Sequence, residues 1–309
     1  MSRAEPSSRP NNGFFMEYLV QILGSGMLQG LVYGLIAMSL IMIYKSSEVF
    51  NFAVGEFCTV GAVFFFMFQS FGFPLWAVIP AYLLLTALFA AGVETLIIDR
   101  LIGRLPFSIT LVTIGISSVM VGCLQIFFGT NPEPIEMKLP DLTLEIGSAL
   151  FISTQIWNSI IAVLAMIILL LFYKFATMGI LMRATADSQV NAIVLGINAR
   201  RILMITWAIS GMVAALGGLI VANGSAVTYD MGLVGLAALP VVLVGGLESI
   251  PGAVIGGLLV GVVQSVTTFY IEPWLNLPGF QAISPYIVLL IILLIRPYGL
   301  FGQEIIERV

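Results

Sequence analysis

The sequence predicts an all-α fold, a polytopic transmembrane helical bundle of eight or nine spans that includes a candidate re-entrant or broken helix. Three observations predict it. Of 309 residues, 60% are hydrophobic and only 9% charged, against roughly 45–50% and 25% in a soluble domain. Mean hydropathy is +1.09. Windows such as Ile161–Leu171 and Ile287–Ile295 carry no charge, so they lack the polar face that a soluble helix needs.

Residues 1–13, MSRAEPSSRPNNG, are too polar to bury apolar surface that would offset ordering, and they predict a disordered tail. Residues 14–302 form the membrane domain, and 303–309 a short C-terminal tail. Apolar segments follow at Tyr18–Tyr44, Phe52–Phe71, Pro74–Ile98, Phe107–Phe128, Ile156–Tyr173, Ile202–Ala222, Gly232–Val244, Ala253–Ile271 and Ile283–Ile295. Most approach the roughly 20 residues that cross a ~30 Å hydrocarbon core. Gly232–Val244 is short, which suits a re-entrant or broken helix buried in protein.

Alternating these segments gathers Lys45, Arg100, Arg104, Lys174, Arg183, Arg200, Arg201 and Arg296 on one side, which the positive-inside rule makes cytoplasmic. The N-terminus is then outside and the C-terminus inside. The opposite side receives the loop 129–148, rich in proline and acidic residues and ending in a pattern that suits a strand or a surface helix. A faint echo at an offset of 200 pairs Ala37, Glu48, Ala53, Val54, Gly61 and Val63 with Ala237, Glu248, Ala253, Val254, Gly261 and Val263, as in transporters built from repeats.

Several chemistries are excluded. There is no histidine, Cys58 and Cys123 sit in apolar runs as packing residues, and no Walker A loop is present. The chain predicts no cofactor, no metal site and no catalysis of its own, so any ATP is hydrolysed elsewhere. The cations form no basic face for nucleic acid.

Three stretches remain informative. SSEVFNFAVGEFCTVG places Asn51, Gly55 and Glu56 at the mouth of a span, where a polar group facing lipid is costly. Two roles fit: a pathway or gate, and a helix start in which Asn51 caps and Glu56 occupies the first turn. Around Glu248, the run LVGGLESIPGAVIGG contains Gly252-x-x-x-Gly256, the spacing of a helix-packing face, and also suits a broken helix lining a path. The polar interruption 174–201 carries Ala186, Val190, Ile193 and Val194 at helical spacing, predicting a short amphipathic helix over Ala184–Gly196. That helix has no Lys or Arg between Arg183 and Arg200, unlike a lipid-surface helix, and this favours docking on a protein.

MGILMRATADSQVNAIVLGIN resembles the cytoplasmic coupling segment of permeases in the branched-chain amino acid ABC importer family. NFAVGEF and GGLESIPGAVIGG resemble two further segments of that family, in the same order. The resemblance implies a bacterial inner-membrane permease subunit that pairs with a second permease, docks two cytoplasmic ATPases and receives substrate from an extracytoplasmic binding protein. By position, Gly179, Arg183, Ala184, Asp187, Ala192 and Gly196 would form the ATPase-coupling surface. Asn51, Gly55 and Glu56, with Glu248 and Gly252, would be the pathway or gate candidates. Relatives often carry histidine where this chain has Val54 and a small residue where it has Glu248. The substrate class therefore stays open among branched-chain or related amino acids, urea and amides, and aromatic or aliphatic carboxylates. An ion-gradient-driven secondary transporter is the rival of another class; it would need acidic residues deep in the bilayer, and Glu56, Glu94 and Glu248 are all predicted near span ends.

Overall fold

The computed structural model describes residues 12–101, 104–135, 137, 139–146, 149–223, 225–228 and 231–302. The tails at 1–11 and 303–309, and Glu136, Lys138 and Asp230 of the loops, lie outside the described residues. The order is α1 (Asn12–Ser47), α2 (Val54–Ser70), α3 (Leu75–Val93), α4 (Pro106–Phe128), β1 (Leu144–Ile146), β2 (Ala149–Phe151), α5 (Ser153–Phe175), α6 (Thr177–Asp187), α7 (Gln189–Val194), α8 (Ala199–Ala222), α9 (Gly232–Gly245), α10 (Ile250–Val266), α11 (Glu272–Leu275) and α12 (Ser284–Ile295). Each of the nine apolar segments folds as a helix. Among the described residues, six stretches are long and apolar enough to cross a membrane, and the helices Val54–Ser70, Gly232–Gly245 and Phe280–Ile295 are shorter. The chain is a multi-pass membrane bundle.

The bundle has two distinct ends. At one, β1 pairs antiparallel with β2, Leu144 opposite Phe151, and Glu133 and Val227 exchange backbone hydrogen bonds of 3.0 and 2.8 Å. The end of loop 129–148 is thus a strand, not a surface helix. The other end gathers Lys45, Lys174, Arg183 and Arg200 and is called the basic end below.

Packing depends on glycine. With lipid on one side and lipid-like side chains on the other, helices gain little from the hydrophobic effect and rely on close contact. Gly26, Gly30 and Gly34 of α1 face Gly261, Gly257 and Ala253 of the antiparallel α10; a Cβ added at Gly30 would lie 2.5 Å from the Gly257 carbonyl oxygen, and one at Gly257 would lie 2.5 Å from that of Gly30. The core alongside this seam holds Leu35, Ile36, Ala37, Met38 and Ile41, all buried. Ser210 of α8 donates to the Ser39 carbonyl at 2.7 Å, tying α8 to the same helix.

Two elements break the regular pattern. Residues 48–53 are irregular and Glu48 has a left-handed φ of 57°. The backbone there is secured by Thr113 of α4, whose Oγ1 accepts from Phe52 N at 3.1 Å and lies 3.2 Å from the Phe50 carbonyl oxygen. Irregular backbone at membrane depth needs such partners. Helix α9, 14 residues or about 20 Å long, is too short to span alone, as its sequence predicts. Its last carbonyls, Val244 and Gly245, accept from Leu300 N at 2.8 Å and Phe301 N at 3.2 Å. The C-terminal segment thereby satisfies groups that a helix end leaves open.

The echo at offset 200 relates α1–α2 to α9–α10. In each pair a helix reaches the basic end, a short irregular segment holding Glu48 or Glu248 follows, and a helix returns.

Candidate functional site

The pathway candidates separate into two groups. Asn51, Gly55 and Glu56 meet α4 and the start of α9 halfway across the bundle, whereas Glu248 and Gly252 lie at the basic end.

Glu56 is only 6% exposed. Its Oε1 accepts from Ser117 Oγ at 2.7 Å, and Ser117 is midway along α4. This corrects the placement of Glu56 near a span end: α2 begins deep inside, because residues 48–53 carry the chain inward from the basic end without helical structure. Gly55 and Gly232 pack backbone to backbone, Gly235 packs on Gly55, and Glu56 Oε2 abuts Gly232. The carboxylate therefore sits in the first turn of α2 and against the first residue of α9. Two helix N-termini, each carrying roughly half a positive charge, converge on it.

That arrangement explains how a carboxylate is held there, and it leaves atoms over. Among the described residues, Glu56 Oε2 and Asn51 Nδ2 are buried without hydrogen-bond partners. Asn51 does not cap α2 directly. Ala53 occupies the cap position without a side-chain bond, and Asn51 Oδ1 instead accepts from Ala53 N at 3.0 Å. Above Glu56, toward the hairpin end, a small cavity of about 60 Å³ is lined by Thr59, Asn131, Glu133 and Thr228. Polar groups thus mark the α2–α4 seam from that mouth down to Glu56, Ser117, Thr113 and Asn51.

Glu94 lies near a span end, as expected, but it is buried. It is 2% exposed and opens a π-helical turn, Glu94–Ile98, at the end of α3. Beyond it Asp99 pairs with Arg200 of α8 at 3.3 Å.

At the basic end the expected helix over Ala184–Gly196 is two helices. α6 runs to Asp187, and Ser188, in extended conformation, restarts the chain as the cap of α7 by accepting from Asn191 N at 3.2 Å. A serine whose side chain bonds the backbone nearby competes with a continuous helix. Thr185 lies inside α6, buried, and donates to the Leu181 carbonyl at 2.9 Å. Two of the apolar positions, with a neighbour, lie on the surface. Ile193 and Val194 are 61% and 80% exposed, and Leu195 beside them is 78% exposed.

The six coupling candidates have distinct positions. A Cβ at Gly179 would come within 2.5 Å of the Phe172 carbonyl oxygen, so only glycine lets α6 fold back on α5 this closely. Arg183 donates to the Tyr173 carbonyl and, at 3.2 Å, to that of Lys174, placing a cation on the open carbonyls at the end of α5. Its guanidinium also lies 5.6 Å from the Tyr173 ring centroid, with Lys45 Nζ at 5.9 Å from the same ring. Ala184 and Asp187 line a cavity of about 500 Å³ with Tyr44, Lys45, Arg183 and Glu248. Ala192 is buried, and Gly196 ends the segment with φ 81°. Glu248 is joined to this region by its carbonyl, which accepts from Lys45 Nζ at 3.3 Å. Gly252 packs on Gly245 of α9, the helix-packing role its spacing suits.

Comparison with known proteins adds an independent line. A family model described as the permease component of the branched-chain amino acid transport system matches residues 22–295. The high-affinity branched-chain amino acid transport system permease protein LivH of Escherichia coli (strain K12) is 27% identical over 308 residues, 94% of this chain and 98% of that protein. BraD of Pseudomonas aeruginosa, a permease protein with the same description, is 25% identical over 94% of this chain and 98% of its own length. A probable LivH from Methanocaldococcus jannaschii is 29% identical, covering 87% of this chain and 88% of that protein. No solved structure gives a significant match.

Proposed function

The chain belongs to the family of permease components of the branched-chain amino acid transport system, and from that premise we propose that it forms half of the translocation pathway of a binding-protein-dependent ABC importer for branched-chain or related amino acids. The single observation that carries the pathway reading is the half-height junction at Glu56. A carboxylate is retained inside a membrane bundle, where such groups are costly and mark substrate routes, and it sits where a discontinuous helix begins, the recurrent position of transporter binding sites.

The chemistry of the junction suits a zwitterion. Glu56 Oε2 is an unpartnered acceptor for an ammonium group, and Asn51 Nδ2 is an unpartnered donor for a carboxylate. The N-termini of α2 and α9 add favourable potential for that carboxylate. In the resting arrangement Glu56 closes the passage against Gly232 and Ser117. Passage requires α4 or α9 to move away from α2 as a body, since packed helices switch between discrete positions.

The basic end is the cytoplasmic face in this reading, with the N-terminus outside and the C-terminus inside. Exposed Ile193, Val194 and Leu195 offer an apolar surface to an ATPase subunit, and α6, fixed to α5 through Gly179 and Arg183, carries its movement into the bundle. Two ATPases, a second permease of related sequence and an extracytoplasmic binding protein complete the assembly.

The test is uptake into proteoliposomes holding the complete transporter. Labelled leucine is expected to enter only with ATP and binding protein, with Glu56→Gln reducing uptake while ATP hydrolysis persists. Transport of urea or a simple carboxylate in preference to amino acids would overturn the substrate assignment, and wild-type uptake by Glu56→Gln would overturn the role of the junction.

A further inference from the structure

Helix α8 begins almost where α7 ends. The short link between them is held by hydrogen bonds: Ile197 N donates to the Ala192 carbonyl at 2.9 Å, and Asn198 Oδ1 caps α8 by accepting from Arg201 N at 3.1 Å. Exposed Ile193, Val194 and Leu195 are thereby tied to Arg200, in the first turn of α8. Across the seam, the end of α3 offers Arg200 two carboxylates. Asp99 meets it, with Oδ1 3.3 Å from Nε, and among the described residues this is the one ion pair. Glu94 stands one turn further from the basic end. Glu94–Ile98 is π-helical, and Asp99 N donates to the Glu94 carbonyl, an i to i+5 bond that sets the two acids in line along the chain.

The two acids are unequally served. The side chains of Arg200 and Asp99 are 74% and 21% exposed, and Asp99 Oδ1 has no aligned hydrogen bond. An ion pair of this kind contributes little and is readily exchanged. Glu94 is buried, with Oε2 accepting from Thr95 at 3.3 Å and Oε1 left without a partner. It is close enough to both Asp99 and Arg200 to feel their charges. The cation therefore rests on the exposed acid, while the buried acid, which has more to gain from a partner, has none. The two positions are about one helical turn apart, ~5.4 Å, the size of step by which packed elements ratchet past one another. Deeper along the same seam α3 and α8 meet through small residues: a Cβ at Gly211 would lie 2.5 Å from the Cβ of Ala90.

We propose that Arg200 is a coupling residue with two stations. It rests on Asp99, and when a bound ATPase drives α7 toward the bundle it passes to Glu94 and draws α8 along α3. This rests on the reading of α7 as an ATPase-docking surface, and it adds a second route for movement beside the one through α6 and Arg183.

The experiment measures ATP hydrolysis by the complete transporter in proteoliposomes, with and without substrate-loaded binding protein. Asp99→Asn releases Arg200 from its resting station and is expected to raise hydrolysis without binding protein severalfold. Glu94→Gln removes the second station and is expected to lower binding-protein-stimulated hydrolysis severalfold. Arg200→Lys, which keeps the charge, is expected to retain more stimulation than Arg200→Gln. A purely structural role predicts instead that Asp99→Asn and Glu94→Gln change hydrolysis in the same direction, which would overturn the proposal. Where a variant does not assemble, Glu94→Cys with Arg200→Cys is crosslinked in a Cys123→Ser background, which removes the exposed thiol. Crosslinking is expected severalfold faster with ATP and vanadate than without nucleotide, and equal rates would overturn the two stations. Absence of ATP-driven uptake by the wild-type transporter would instead overturn the importer reading itself.

Discussion

The contact between Glu56 and Gly232 can be tested from both sides. In Gly232→Ala the new Cβ would lie 2.6 Å from Cδ and Oε1 of Glu56 and closer still to Oε2, against an ordinary contact of 3.4 Å or more. The carboxylate must then retreat by about 0.8 Å or more, a strain typical of overpacking at about 1–3 kcal/mol. Retreat also breaks the 2.7 Å bond from Ser117, and losing a hydrogen bond to a charged group costs about 1.5–3 kcal/mol. The two together reach about 2.5–6 kcal/mol for one methyl group. The assay is thermal unfolding of the purified transporter alongside ATP-driven uptake. Gly232→Ala is expected to lower both, and Glu56→Ala combined with Gly232→Ala to unfold at a higher temperature than Gly232→Ala alone, because the methyl then has space. Independent effects that simply add would show that the two residues do not meet, since contacting residues couple by about 0.5–3 kcal/mol. That result would refute the half-height junction.

Three further predictions concern other parts of the molecule. Arg183→Glu places an anion on the carbonyls ending α5 and is expected to uncouple ATP hydrolysis from uptake without blocking membrane insertion; unchanged stoichiometry of ATP to substrate would contradict this. Replacing Ile193, Val194 and Leu195 together by serine removes the apolar surface at the basic end, and should weaken ATPase co-purification with little change in the thermal stability of the permease itself. Gly257→Val drives a branched side chain into the backbone of α1 at Gly30, and at least the 1–3 kcal/mol of ordinary overpacking is expected, read as a lower unfolding temperature in detergent.

The helices were legible because apolar runs of span length have few alternatives, and the short run Gly232–Val244 already indicated a partial span. Depth was not legible. Asn51 and Glu56 read as span-end residues because residues 48–53 contain enough apolar side chains to pass for the start of a helix. What places Glu56 at half height is Thr113, 61 positions beyond Phe52 in sequence, binding the backbone of that segment. The coupling region shows the opposite limit. Periodicity located its apolar positions, of which Ile193 and Val194 are exposed, but it did not show that the side chain of Ser188 divides the helix. Arg183 was recognised by pattern alone; its bonds to the end of α5 supply the reason for an arginine there.

The central claim is that this permease passes an amino acid by an ATP-driven route through Glu56. Initial uptake of labelled leucine into proteoliposomes, measured with and without ATP and with and without an imposed ion gradient, tests it most directly. Uptake is expected to require ATP, to ignore the gradient and to fall in Glu56→Gln. Uptake that survives inactivation of the ATPases and collapses with the gradient would contradict it.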